Sequence, residues 1–137
     1  MTKHFSLEVG DSFEIVNEYG AHLHFIIAEE SDKDHSSIIL VYLSSSDTVY
    51  KDRTTILKYG EHPYISNRDK ESWIRYQNTI LCSRDDVFPL ITTHYGKISP
   101  ELLARIQNGF VSSSKVDKTK KIAYEEWKTD KLYASLK

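Results

Sequence analysis

Two apolar runs constrain what this chain can fold into. They are His22-Leu23-His24-Phe25-Ile26-Ile27-Ala28 and, one polar loop later, Ile38-Ile39-Leu40-Val41-Tyr42-Leu43 running into Ser44-Ser45-Ser46. The first is rich in β-branched and aromatic residues and holds no Gly or Pro, which predicts a strand. Side chains on a strand alternate between its faces. Leu23, Phe25 and Ile27 then share a natural core face, and His22, His24, Ile26 and Ala28 share the other. The imidazoles stand side by side at one end. Either they are half-exposed histidines on an ordinary strand, or they look into a cleft. The serines after the second run reach the same end of the sheet if the two strands are antiparallel neighbours.

A chain of 137 residues, 39% hydrophobic and 28% charged, is expected to form one soluble domain with a real core. No run approaches the ~18 apolar residues of a membrane helix, so no membrane partner is expected. The start, Met1-Thr2-Lys3-His4-Phe5-Ser6, lacks the apolar run of a secretory leader. The single cysteine, Cys82, leaves no internal disulfide and no Cys-based zinc site, and reads as a small buried residue. The expected location is cytoplasmic. The net charge of -2 does not mark a nucleic-acid binder. From Lys115 to Lys137, however, seven lysines stand against four acids, about +3, which leaves about -5 on residues 1–114. That tail is either a solvated helix or a phosphate contact.

Upstream of the histidine strand, Gly10-Asp11 is a turn signal and Ser12-Phe13-Glu14-Ile15-Val16 alternates as a strand does. Asn17-Glu18-Tyr19-Gly20 reads as a hairpin connection. Glu29 to Ser37 is a polar loop, and Ile38 to Leu43, apolar on both faces, reads as a central strand. After a loop from Ser44 to Lys51, Arg53 to Lys58 gives another strand. Gly60-Glu61-His62-Pro63-Tyr64 is a second histidine loop, and Asn67 to Glu71 a charged turn. Ser72-Trp73-Ile74-Arg75-Tyr76 reads as a strand with Trp73 and Arg75 on one face, and Thr79 to Cys82 is strand-like too.

Helical signals come only in the last third. Ser83-Arg84-Asp85-Asp86 is a cap and acidic first turn that Pro89 interrupts. Ser99-Pro100-Glu101 is a stronger start, with Leu102, Leu103, Ile106 and Phe110 on one stripe and Asn108-Gly109 as the end signal. A last helix over Ile122 to Leu136 has Ile122, Tyr124, Trp127, Leu132 and Leu136 as anchors, at a spacing that fits poorly. Five or six short strands followed by a helix predict a mainly β, α+β fold: a small, strongly bent sheet or open barrel with a helix packed on it.

The motif order carries a family resemblance. His22-Leu23-His24-Phe25-Ile26-Ile27 is followed by Val41-Tyr42-Leu43-Ser44-Ser45, Thr54-Thr55-Ile56-Leu57, Gly60-Glu61-His62-Pro63-Tyr64-Ile65, Ser72-Trp73-Ile74-Arg75-Tyr76 and Ile98-Ser99-Pro100-Glu101-Leu102-Leu103. This order, over roughly residues 10 to 114, resembles a divergent branch of the PemK/MazF toxins of bacterial toxin–antitoxin pairs. The resemblance implies an SH3-like barrel of five to seven strands over residues 1–114, with 115–137 as a basic helical extension. It implies a homodimer, a cognate antitoxin protein as partner, and an endoribonuclease that cleaves single-stranded RNA with neither metal nor cofactor. The family's usual Arg-Pro before the second strand's apolar run is matched here by His22-Leu23. Its Pro-x-Thr-Ser is matched by Tyr42-Leu43-Ser44-Ser45, with Ser44 in the threonine's place. The usual catalytic arginine is therefore absent from its place. Either a histidine has taken over an acid or base role, or the activity is lost or changed.

Metal-free RNA cleavage needs a base for the 2′-hydroxyl proton, an acid for the departing 5′-oxygen, and donors for the charge built on phosphorus. Imidazoles serve both proton roles near neutral pH. The expected acid–base pair is His22 and His62, with Arg53 or Arg75 as the electrostatic partner and Ser44 or Ser45 donating to the phosphate oxygens. His24, Ser45 and Arg75 are expected to face the substrate, and Tyr64, Trp73 and Tyr76 to stack unpaired bases. Each has a plainer reading: His62 shapes a turn before Pro63, Arg75 pairs with a carboxylate, and Trp73 and Tyr76 are core. Two other functions compete with cleavage. One is a non-catalytic SH3-like module that binds a peptide or nucleic acid. The other, resting on spacing alone, is a zinc enzyme with His22, His24 and His62 as ligands.

Overall fold

The computed structural model describes residues 6–18, 20–30, 37–45 and 51–136. The chain start, Tyr19 of the hairpin connection, residues 31–36 and 46–50 of the polar loops (Ser46 among them) and Lys137 lie outside the described residues.

Three strands form an antiparallel meander: β1 (Asp11–Asn17), β2 (Gly20–Glu29) and β3 (Ser37–Ser44). The β1–β2 register closes on Asn17↔Gly20, and Gly20 has φ 109°, a conformation that glycine adopts without strain. The far edge of β3 is shared. Its first half pairs with β6 (Ile80–Ser83), and Leu43 and Ser44 pair with β5 (Ser72–Ile74). Beyond β5 lies β4 (Ile56–Leu57), and beyond β1 lies β7 (Ile91–Lys97). The seven strands make one antiparallel sheet with β4 and β7 at its ends, and no described pairing joins those ends. The strand count is within the expected range, and the sheet is open rather than closed into a barrel.

Among the described residues there are three α-helices, the first before β7 and the other two after it, each with an oxygen cap. Ser83 Oγ accepts the Asp85 N–H at α1 (Arg84–Val87), and Pro89 sits in a 3₁₀ turn just after it. Ser99 Oγ accepts the Leu102 N–H at α2 (Pro100–Ser112), and Asp117 accepts the Lys120 N–H at α3 (Lys118–Ser135). The two sheet faces bury separate cores. Leu23, Phe25 and Ile27 face Ile106 and Phe110 of α2 and Tyr124 and Trp127 of α3. Phe13, Ile26 and Leu40 face Val87 and Ile91.

Several expectations need correction. The strand expected over Arg53 to Lys58 shrinks to Ile56–Leu57. The next ends at Ile74, because Tyr76 opens a 3₁₀ turn and is fully buried. β7 was not expected; most of its side chains are exposed, so it shows no apolar alternation. Of the tail's five anchors only Tyr124 and Trp127 are buried, and Ile122, Leu132 and Leu136 are exposed, because α3 touches the core with its first half alone. Cys82 is half-buried, and burial with Asp86 nearby raises its thiol to about 11.

α2 also runs through Asn108-Gly109 to Ser112. Gly109 serves close approach rather than termination. The Tyr76 hydroxyl donates to the Ile106 carbonyl at 2.7 Å and lies 2.7 Å from Thr55 Oγ1. A Cβ on Gly109 would overlap both hydroxyls. Gly109→Ala is therefore expected to cost about 2 kcal/mol or more, against a fraction of that for Asn108→Ala on the exposed side. Urea denaturation of the two variants checks this.

Candidate active site

A cleft of about 660 Å³ opens where β2 begins and β3 ends. The antiparallel register His24↔Tyr42 carries Ser44 back toward His22, as the sequence pattern requires. His22, His24, Ser44, Ser45, Tyr64 and Arg75 all line the cleft, as do Tyr42, Asn78 and Lys70. The chain has 20 acidic residues, yet among the described residues no Asp or Glu is in the lining. The site is thus locally cationic within an acidic protein, and it favours an anion.

His24 is buried and supported on three sides. Its Nδ1–H donates to the His22 carbonyl at 3.0 Å, its ring stacks 6.1 Å from Phe13, and Tyr42 lies 5.4 Å away. Burial, the largest influence, lowers its pKa to about 4. His24 is neutral at pH 7, with one proton committed to a backbone oxygen. His22 is only half-buried and meets the Tyr42 ring edge-on at 4.9 Å. Burial and then the Arg75 charge lower its pKa, so it too is neutral at pH 7. Unlike His24, it is accessible, which suits a proton acceptor.

Arg75 follows β5, and its backbone N–H donates to the Tyr42 carbonyl at 2.9 Å. Its guanidinium lies 5.5 Å from the centre of the Trp73 ring, so the two share a face as their spacing predicts. Its Nε is buried and has no hydrogen-bond partner among the described residues. A buried, unsatisfied donor on a permanent cation is costly unless something else satisfies it. Among the described residues Arg75 has no ion pair with a carboxylate.

Most of the remaining candidates lie elsewhere. His62 is not in the lining; it packs on Ser12 and Phe25, on the sheet face opposite His22 and His24. Its hydrogen bonds close locally. Ser12 Oγ donates to the Gly96 carbonyl, so it accepts His62 Nε2–H at 3.0 Å, while Nδ1 accepts the Tyr64 N–H at 3.0 Å. Both ring nitrogens of the neutral tautomer are satisfied, which fits a structural histidine. The pair His22–His62 is therefore not brought together, and neither is a three-histidine metal site. Among the described residues no group of three or more His, Cys, Asp or Glu is placed to hold a metal. Arg53 is exposed, 3.5 Å from Glu71, and outside the cleft. Trp73 is 2% exposed, a support under Arg75 rather than a platform for a base. Tyr76 is core. Tyr64 lines the cleft, but its hydroxyl donates to Glu14 at 3.0 Å, and burial with that carboxylate raises it to about 12. Tyr42 and Asn78 were not anticipated. The available signal for Tyr42 was its place opposite His24 once the two runs are paired.

Neither a protein-family model nor a curated protein matches the sequence. Among solved structures, the chain is similar to an endoribonuclease in complex with its cognate antitoxin, from a mycobacterial species. The TM-score is 0.52 at 14% identity, over 78% of this chain and 93% of that one. The likeness is one of fold. The α+β fold expected from the sequence agrees with it. No described helix is long and apolar enough to cross a membrane.

His24 makes folding pH-dependent. A depressed folded-state pKa gives stability that is present above the unfolded value, near 6.5, and is lost as pH falls toward about 4. The loss attributable to His24 is about 3 kcal/mol. His22 and His62, also lowered, act in the same direction. Urea denaturation at pH 7 and pH 4 should show His24→Phe losing less stability on acidification than wild type, by about that amount; equal losses would refute the assignment.

Proposed function

We propose that this chain is the toxin of a bacterial toxin–antitoxin pair, a metal-independent endoribonuclease that cleaves single-stranded RNA in the cleft beside His22. The observation that carries the proposal is Arg75: a guanidinium whose buried Nε has no partner among the described residues, in a cleft that those residues line with imidazoles and hydroxyls and with no carboxylate. A phosphodiester in the cleft pairs with the guanidinium charge, and Lys70 adds a second positive charge at the cleft wall. The fold likeness to an antitoxin-bound endoribonuclease supports the same reading. A cognate antitoxin whose peptide covers the cleft, and pairing of two copies of the chain, belong to this reading.

His22 occupies the place of the family's usual arginine. Arg75 brings a guanidinium to the cleft from the other side of β3, so the electrostatic role survives by relocation. His22 is then free to act as base. Neutral at pH 7 and accessible, it accepts the 2′-hydroxyl proton as that oxygen attacks phosphorus. Arg75 and the Ser45 hydroxyl at the mouth stabilise the phosphoryl oxygens. His24 holds His22 in place by its bond to the His22 carbonyl.

Purified protein in chelator, given a mixed-sequence pool of single-stranded transcripts, tests the proposal. His22→Ala and Arg75→Ala, confirmed as folded, are each expected to slow cleavage by about 10²–10³-fold. Because His22 must be unprotonated and its pKa lies below 6.5, the wild-type rate should be flat above that pH and fall below it. RNA bound but left intact would favour the non-catalytic module. A pool neither bound nor cut would end the proposal.

A further inference from the structure

Resting on the ribonuclease reading, we infer that Tyr42 donates the proton to the departing 5′-oxygen and that Asn78 positions its phenol to do so. A base that takes the 2′-hydroxyl proton does half of the proton transfer, and the leaving oxygen needs a donor of its own. The lining offers few. The Nδ1–H of His24 is committed to the His22 carbonyl, and its depressed pKa leaves Nε2 bare at pH 7. The Tyr64 proton is committed to Glu14. Arg75 does not give up a proton in proteins.

Tyr42 is differently placed. It stands on β3 opposite His24, half-buried, with its ring against both imidazoles. Its backbone carbonyl accepts the Arg75 N–H, so the phenol and the guanidinium are held by one backbone contact. Asn78 Nδ2–H donates to the phenolic oxygen at 2.7 Å. A phenol is donor and acceptor at once. With its oxygen engaged as acceptor, its own hydrogen is left to point into the cleft. That bond also polarises the O–H toward donation.

The cycle then balances. The 2′-oxygen bonds to phosphorus and His22 takes its proton. The bond from phosphorus to the 5′-oxygen breaks, and that oxygen takes the Tyr42 proton. The products are a 2′,3′-cyclic phosphate and a 5′-hydroxyl. His22 is left as imidazolium and Tyr42 as phenolate, in edge-to-ring contact at 4.9 Å. Return of the proton from one to the other restores both, with no co-reactant.

A sulfur leaving group departs without protonation, and this separates the donor from every other role. The full-length chain is given an RNA oligonucleotide that wild type cleaves, with the scissile 5′-oxygen either natural or replaced by sulfur. Tyr42→Phe should slow the oxygen substrate by about 10²-fold or more and the sulfur substrate by less than about threefold. Asn78→Asp, whose carboxylate captures the phenolic proton, should show the same oxygen-to-sulfur contrast. His22→Ala should be slow on both. Tyr42→Phe equally slow on both substrates, or as fast as wild type on oxygen, would overturn the inference while leaving the ribonuclease standing. Wild type leaving both intact would overturn the ribonuclease reading, and this inference with it.

Discussion

The structure depends on the pairing of β3. One of its edges is taken wholly by β2, and the other is divided between β6 and β5. This division brings His22, Tyr42 and Arg75, from three different strand ends, to one rim. A one-residue slip between β2 and β3 would turn the imidazoles to the other face and expose Leu23 and Phe25. Both faces of β2 are buried along most of its length, so such a slip would expose core on either side. Packing that has nothing to do with chemistry thus fixes the register of the cleft.

The electrostatics of that cleft run against stability. Two histidines are held neutral, and an arginine donor is buried with no partner among the described residues. Each costs free energy that an ordinary surface would not ask for. Sites where a local rule is broken without compensation inside the fold are where ligands bind. An anion in the cleft offsets the guanidinium charge. In the proposed reaction it also raises the affinity of His22 for a proton, because a nearby negative charge favours the imidazolium.

Much of the fold was legible because strand alternation is a strong signal. The split of Leu23, Phe25 and Ile27 from His22 and His24 holds, as do the caps at Ser83 and Ser99. The elements that were missed lack such a signal. β7 is held by its backbone ladder to β1, while Thr92, Thr93, Tyr95 and Lys97 face solvent. Gly109 looks like a stop because glycine usually ends helices, and only the approach of Tyr76 reveals its other use. In the site, His22, His24, Ser44 and Ser45 follow from pairing two apolar runs. His62 could not be placed, because a loop's sequence does not say which sheet face it will cover. Tyr42 was hidden by its neighbours, since a tyrosine inside Ile-Ile-Leu-Val-Tyr-Leu counts as one more apolar residue.

The cleft is also held from outside itself. Tyr76 directly follows Arg75, and its hydroxyl is tied to Thr55 and to the Ile106 carbonyl of α2. Its ring packs against Phe110, which in turn meets Tyr124, and that residue meets Trp127 of α3. The backbone at Arg75 is therefore clamped between a β-sheet bond to Tyr42 and an aromatic chain reaching into the C-terminal helix. A guanidinium on a long side chain is useful only if little freedom remains to be lost when the anion arrives. Here the Trp73 face limits the guanidinium and the helices limit the backbone. The basic C-terminal segment joins that support through the packing of Tyr124 and Trp127.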